Sequence, residues 1–366
     1  LQLSSTIFDS SHPLRGVAMT GSIRTLAVQY FQLVNPSNLA LPPGNVLVQP
    51  NVQQALYEHM FDETLTPLPP APYRTSVLKQ IITRIEGAIT DPEEDEILDS
   101  LMESWGNLVM LPKPSPLEQA QQISSIKYTA PLQPQPSTSP TSPISERTIN
   151  ILESRGLLLA SGTTGNRTWE AALHLGSFLS TPAGKALVHE KKIIELGAGT
   201  GFLSLFCARY LGVKGVVATD REPFLIENMR ACAKLNHTNE DGDIPFFPAI
   251  WDWGTPLKKT EEMSSMTGGG GLQFDVALGA DLVYDTDIVS PLISTIQDLF
   301  SNYGVNKFIT AATFRNENTF RTFFDACELN AFRFEKLPFE SAAEEEQTGF
   351  FHSTSFPIRT YLISKA

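Results

Sequence analysis

Residues Ile193-Ile194-Glu195-Leu196-Gly197-Ala198-Gly199-Thr200-Gly201 join an apolar, strand-like run to a helix-like one beginning near Phe202. Glycine at every second position lets the backbone pass close to a ligand and adopt φ values that other residues resist. The amides of such a turn are expected to face the ligand at the helix N-terminus. The spacing then separates two ligand types. A dinucleotide turn reads G-x-G-x-x-G, whereas here the third glycine is Gly201 and an acid, Glu195, stands just ahead of the first. A carboxylate there would repel a pyrophosphate but suits the cationic end of S-adenosylmethionine. Glu195, Gly197, Ala198, Gly199 and Gly201 are therefore assigned to that cofactor. Asp220 closes the next strand-like run and could accept both ribose hydroxyls. As a lone residue it could equally cap the helix that follows.

Such a turn needs a sheet to hold it. Short apolar runs at 192–196, 216–219, 246–251, 274–278, 308–313, 332–337 and 358–364 are spaced along the second half of the chain. Helix-like stretches at 203–211, 222–235 and 288–300 alternate with the earlier runs, which specifies a mostly parallel sheet with helices on both faces. Between the last two runs lies only the polar stretch 340–349, so these are expected to form an antiparallel hairpin. The fold class is thus α/β: a Rossmann-like sheet of five parallel units closed by that hairpin. Residues 258–271, with four consecutive glycines, fit a mobile surface loop.

The first part of the chain differs. Ile23, Leu26, Ala27, Tyr30, Phe31 and Val34 recur at helical spacing, as do Val77, Leu78, Ile81, Ile82 and Ile85. Asp91-Pro92-Glu93-Glu94 resembles a helix start, with Ile97, Leu98, Leu101, Met102 and Trp105 as its apolar face. A small helical domain is expected over 1–111, either a packing appendage or a docking module for a protein substrate. Residues 112–147 are rich in Pro, Ser and Gln, too polar to offset their ordering entropy, and read as a linker. Residues 148–366 form the cofactor domain.

Composition narrows the partners. The net charge is −13 and the pI about 5.0, which disfavours nucleic acid and anionic membrane as direct partners. No apolar run has membrane-spanning length. Cys207, Cys232 and Cys327 are widely spaced, with no zinc-like cluster, as expected of reduced thiols in a cytoplasmic, monomeric protein.

Three stretches carry a family resemblance. Gly162-Thr163-Thr164-Gly165-Asn166-Arg167-Thr168-Trp169-Glu170, Trp251-Asp252-Trp253-Gly254 and Gly279-Ala280-Asp281-Leu282-Val283-Tyr284 resemble segments of the seven-strand methyltransferases, in particular the eukaryotic family-16 protein-lysine methyltransferases. The Asp-x-x-Tyr after the fourth strand is the most specific of them. The resemblance implies that Trp169 lies against the cofactor and that Trp253 flanks its adenine. Leu41-Pro42-Pro43-Gly44-Asn45 and Tyr73-Arg74-Thr75-Ser76 are similar to the extension of one subfamily, whose members methylate a lysine of eukaryotic translation elongation factor 2; that protein is the implied substrate.

Physical reasoning bears on the same residues. A Trp alone is more often core than ligand, but Trp253 at a strand tip can offer its π face to adenine. Ala280, at the carboxyl end of the fourth strand, is small enough to let the backbone approach a ligand. Methyl transfer from a sulfonium needs chiefly positioning and a neutral amine. Only roughly one free lysine in two thousand is neutral at pH 7. Asp281 and Tyr284 are assigned to placing that lysine, without a claim that either is the general base. Asp285 and Asp287 add negative charge nearby, or are simply solvated loop. A small-molecule methyltransferase and a non-catalytic cofactor-binding assembly factor remain as alternatives.

Overall fold

The computed structural model describes residues 21–91, 93, 95–133, 146–154, 164–238, 244–268 and 271–366. It resolves into two compact units, one up to Lys113 and one from Pro114.

The first unit is helical: α1 (Gly21–Phe31), α2 (Gly44–Leu47), α3 (Pro50–Leu56), α4 (Ala71–Glu86) and α5 (Asp99–Met110). The periodic apolar residues of α1 and α4 converge in one core, where Leu26, Tyr30, Leu78, Ile81 and Ile85 are fully buried. The helix anticipated at 91–94 begins instead at Asp99; Pro92 and Glu94 lie outside the described residues. A buried glutamine explains the delay. Gln53 Nε2 donates to Glu96 O at 3.0 Å, and its Oε1 accepts from Leu98 N–H at 2.8 Å. Backbone groups engaged by that side chain are withheld from a helix ladder. Met102, expected on the apolar face, is 41% exposed.

The second unit begins with α6 (Pro116–Gln121) and an antiparallel pair, β1 (Ser124–Thr129) and β2 (Thr148–Glu153). The expectation of a linker over 112–147 is corrected here: β1 is an ordered strand, with Ile126 and Tyr128 buried, while 134–145 lie outside the described residues. Among the described residues no strand lies beside the far edge of β2, and side chains satisfy it instead. Asn236 exchanges two hydrogen bonds with the Asn150 backbone at 2.7 and 2.8 Å, and Asn228 donates to Leu152 O at 3.0 Å. These bonds close an edge that would otherwise recruit another chain.

There follow α7 (Glu170–Ser180), α8 (Pro182–Val188), β3 (Lys192–Leu196), α9 (Phe202–Tyr210), β4 (Gly215–Asp220), α10 (Pro223–Leu235), β5 (Phe246–Ile250), the two-residue pair β6 (Thr267–Gly268) and β7 (Gly271–Leu272), β8 (Val276–Ala280), α11 (Val289–Asn302), β9 (Lys307–Thr313), α12 (Glu317–Leu329), β10 (Phe332–Lys336) and β11 (Ile358–Lys365). Seven strands make one sheet in the order β10-β11-β9-β8-β3-β4-β5. β11 alone runs antiparallel to both its neighbours, so β10 points with the five parallel strands. The chain leaves β3 toward β4 on one side and returns beside it with β8. This reversal opens a crevice at the carboxyl ends of β3, β4 and β8, where open α/β sheets bind ligands.

Residues 258–268 are less loose than the composition of 258–271 suggests; Gly269 and Gly270 lie outside the described residues. A 3₁₀ turn, Glu261–Met266, buries Met263 and Met266 in the core under the sheet. The apolar methionines hold a segment that composition alone would assign to solvent.

The polar stretch before β11 is also anchored. Ser341 Oγ lies 2.6 Å from His174 Nδ1 on α7 and 2.7 Å from His352 Nε2, and His174 Nε2 lies 3.1 Å from Thr360 Oγ1. Burial pushes His174 down to about 3, and lowers His352 as well. Both imidazoles therefore fold neutral, and the unfolded chain binds more protons below pH 6.5. Stability is complete above about pH 6.5 and is lost as the pH falls from there toward about 3. Between pH 7 and 5 the His174 contribution should cost about 2 kcal/mol. Thermal melts of wild type and His174→Gln over this range should show the smaller decline in the mutant; equal declines would refute the assignment.

Candidate active site

At the carboxyl end of β3 the chain turns through Gly197, Gly199 and Gly201, with φ values of 58°, 54° and 78°. A side chain at 197 would bring Cβ within 2.8 Å of Leu282 and 3.3 Å of Trp253, and one at 199 within 3.2 Å of the Gly165 carbonyl. The turn thus forms a thin wall between segments that close over it. Gly201 serves packing instead: its Cβ would meet Met229 at 2.8 Å, and it lies outside the lining of the cavity.

The turn's amides do not project into that cavity as expected. Ala198 N–H donates to Thr219 O at 2.8 Å, Gly199 N–H to Asp220 Oδ2 at 3.0 Å, and Gly201 N–H to Ala198 O at 2.8 Å. The glycines give close approach, while the Ala198 and Gly199 donors lock the turn to β4 and the Gly201 donor closes the turn on itself.

The cavity occupies about 290 Å³ and is lined by Glu195, Gly197, Ala198, Gly199, Asp220 and Trp253, among others. Ala280, Asp281 and Tyr284 line it from the β8 side, and Trp169 from the loop before α7. Of the expected site residues, Gly201 alone falls outside it. Glu195 is 3% exposed, and its carboxyl accepts a bond from the Ser204 hydroxyl. Burial pushes it up to about 8, with Asp220 adding to the rise and Ser204 opposing it. Burial likewise raises Asp220, against the lowering effect of amides at Gly199, Glu222 and Arg221. Two desolvated acids on one wall favour a ligand that brings positive charge and hydroxyl donors. Both tryptophans of Trp251-Asp252-Trp253 border the cavity, and they differ in burial. Trp251 is core, 2% exposed, with Nε1–H donating to Thr255 O at 2.7 Å; Trp253 faces the cavity.

The opposite wall hangs from the β1–β2 pair. Glu153, buried at the end of β2, accepts bonds from Tyr128 Oη at 2.7 Å and Thr168 N–H at 3.1 Å. Thr168 Oγ1 in turn lies 2.8 Å from Thr200 Oγ1 in the glycine turn. These bonds place Trp169, whose Nε1–H donates to Thr164 O at 2.9 Å. Gly162 and Thr163 of the motif lie outside the described residues.

Asp281 has a left-handed backbone, φ 55°, uncommon for a residue other than glycine. Its N–H donates to Ala311 O at 2.8 Å, Oδ1 accepts from Thr313 N–H at 3.1 Å, and Oδ2 pairs with Arg315 Nη1 at 3.0 Å. Tyr284 is 62% exposed at the cavity mouth. Its phenol is raised above its ordinary value by loss of hydration, so it is a neutral hydroxyl at working pH. Thr168 and Glu170 lie within the quoted motif but have no role assigned from sequence, and Arg315 and Glu153 carry no signal there; no local motif joins Arg315 to a partner 34 residues away.

A seven-stranded sheet with one reversed strand, a glycine turn after β3 and an acid at the end of β4 together define the class of the S-adenosylmethionine-dependent methyltransferases. Comparison with known proteins narrows the class. The lysine methyltransferase family is matched over residues 149–330. Protein-lysine N-methyltransferase EFM3 of Chaetomium thermophilum is 40% identical over 331 residues, 90% of this chain and 94% of that protein. EFM3 of Saccharomyces cerevisiae is 26% identical over 65% of the chain and 66% of its own length. Protein-lysine methyltransferase METTL21E of Mus musculus is 30% identical over 46% of the chain and 66% of its own length. The chain belongs to the protein-lysine N-methyltransferase family, and its cofactor is S-adenosylmethionine.

Replacing Trp253 by Ala should weaken cofactor binding by about 1–2 kcal/mol, the scale of a lost aromatic contact with its buried area. Calorimetric titration of the folded mutant checks this; an unaltered dissociation constant would return Trp253 to the core with Trp251.

Proposed function

We propose that this enzyme methylates a lysine of eukaryotic translation elongation factor 2, with Asp281 and Tyr284 on the substrate side of the site and Trp169, Glu195, Gly197, Ala198, Gly199, Asp220, Trp253 and Ala280 on the cofactor side. Gly201 supports the turn from behind. The observation that carries the substrate reading is the similarity of 41–45 and 73–76 to the elongation factor 2 subfamily's extension. The 90% alignment with the Chaetomium enzyme supports it by showing that a relative shares nearly the whole chain. On this reading the helical unit helps select the substrate, and the enzyme acts as a cytoplasmic monomer.

The cofactor, when bound, supplies a methyl group on a positively charged sulfur, already activated for displacement. The protein's own residues must present an amine in line with it. To accept that methyl group the lysine ammonium would first release its proton to solvent, leaving a nitrogen lone pair for this chain's own residues to orient. Tyr284, a neutral hydroxyl at the mouth, and Asp281 beneath it offer acceptors that orient the nitrogen. Glu195 and Asp220 hold the cofactor's cationic and ribose groups on the other wall.

Asp281→Ala and Tyr284→Phe are each expected to lower turnover by one to three orders of magnitude while cofactor affinity stays within about threefold. Melting temperature and turnover measured on the same samples separate this from packing, which would lower stability and spare the rate per folded molecule.

Incubation with labelled cofactor and a eukaryotic cytosolic lysate should label one band at the size of elongation factor 2. A protein beginning at Pro114 should keep its cofactor affinity and label that band poorly. Full labelling by the shortened protein would show that the helical unit is structural only, and labelling of another band would replace the substrate.

A further inference from the structure

Arg315 follows the end of β9, and its backbone is braced. Phe314 stacks on Phe320 with ring centroids 4.0 Å apart and planes within 10°. The Arg359 guanidinium lies 4.3 Å from the Phe314 centroid, and Phe314 N–H donates to Pro357 O at 2.9 Å. From this base the Arg315 guanidinium reaches three separate segments. Nη1 meets Asp281 Oδ2 at 3.0 Å, Nη2 meets Glu170 Oε2 at 3.2 Å, and the group lies 5.4 Å from the Trp169 ring centroid. Arg167 lies over the same indole at 5.1 Å and pairs with Glu170 at 3.0 Å. The Arg315 side chain is 40% exposed, and ion pairs so placed contribute little to stability. A fork that joins the substrate-side acid to the indole of the cofactor wall has a geometric use instead.

We propose that Arg315 is a positioning residue for methyl transfer. It holds the Asp281 carboxylate and the Trp169 indole in one arrangement and balances the Asp281 charge, so that an incoming lysine meets an acceptor and not an uncompensated anion. The proposal rests on the reading that Asp281 meets the substrate amine. A bare carboxylate beside an amine favours the ammonium form, which has no lone pair to attack. The surroundings make that compensation matter. Near Asp281, Glu170 is shared by Arg167 and Arg315, and Tyr284 and Asp285 belong to the loop after β8. Across the cavity stand Asp220 and Glu222 beside Arg221, then Asp252, with Glu195 buried behind. Acids outnumber cations there, so removing Arg315 tips the balance further toward a protonated lysine.

The test follows kcat from pH 6.5 to 10 in the full-length enzyme, with the protein labelled in the lysate as methyl acceptor. Arg315→Gln is expected to lower kcat at pH 7.5 by roughly 10- to 100-fold, and to move the half-rise of the kcat profile about half a pH unit or more to higher pH. Arg315→Lys restores the charge and so the position of the rise. It recovers the rate only in part, because an ammonium cannot fork to both carboxylates. Combined with Asp281→Asn, Arg315→Gln should displace the rise less than it does alone, because the carboxylate it balances is gone. A folded Arg315→Gln enzyme with unmoved profile and rate, beside an impaired Asp281→Asn enzyme, overturns the role of Arg315 alone. Activity losses that track melting temperature in both Arg315 variants, with no displacement, do the same. Wild-type turnover in Asp281→Asn overturns instead the reading of Asp281 on which the proposal stands.

Discussion

The bond from Gly199 N–H to the Asp220 carboxylate, 3.0 Å long, ties the ends of β3 and β4 at the point where the sheet reverses its order. Most of the site depends on it. With Ala198 N–H committed to Thr219 O, the turn gives two of its donors to β4 and presents Gly197 and Gly199 backbone, with the small side chain of Ala198 and that of Thr200, to the cavity. Glycine is required here because φ is positive and because neighbouring segments approach from both sides. Asp220 is thereby held at the cavity wall with its carboxylate already oriented. A ligand binding there meets a preset acceptor and does not have to arrange one.

The opposite wall is arranged by a longer chain of support. Tyr128 and Thr168 share the Glu153 carboxylate, Thr168 touches Thr200, and Trp169 follows at the start of α7. A strand in a segment of low hydrophobicity thus sets the position of an indole at the cofactor cavity. Each contact is local and ordinary. The consequence is that disturbance of the β1–β2 pair is transmitted to the site through the buried Glu153 carboxylate and the Ser154 N–H bond to Asn166 O.

Charge is distributed unevenly over these walls. Glu195 and Asp220 are desolvated and shifted upward, and on the proposed reading this is the wall that receives the cationic cofactor. Asp281, by contrast, is paired with a guanidinium. The same residue type therefore serves opposite purposes a short distance apart, according to whether a cation is supplied by the ligand or by the protein.

Much of this was legible without coordinates. The seven apolar runs, their alternation with helices and the closing antiparallel strand follow from hydrophobic period and element length, which are local properties. The acid before the glycines and the acid after the next strand are brought to one cavity because both strands end at the same edge of the sheet. Other features were decided by tertiary structure. That Trp251 is core while Trp253 faces the cavity depends on the path of the chain after β5. That 124–129 is a strand depends on side chains of α10 satisfying its partner's edge, and that 258–268 is anchored depends on two methionines finding the core. Gln53 delays α5 from a position more than forty residues away. Arg315 joins Asp281 and Glu170 only because β9, β8 and α7 meet at one end of the sheet. Such pairings need the backbone to bring distant residues together, and a linear pattern holds no record of them.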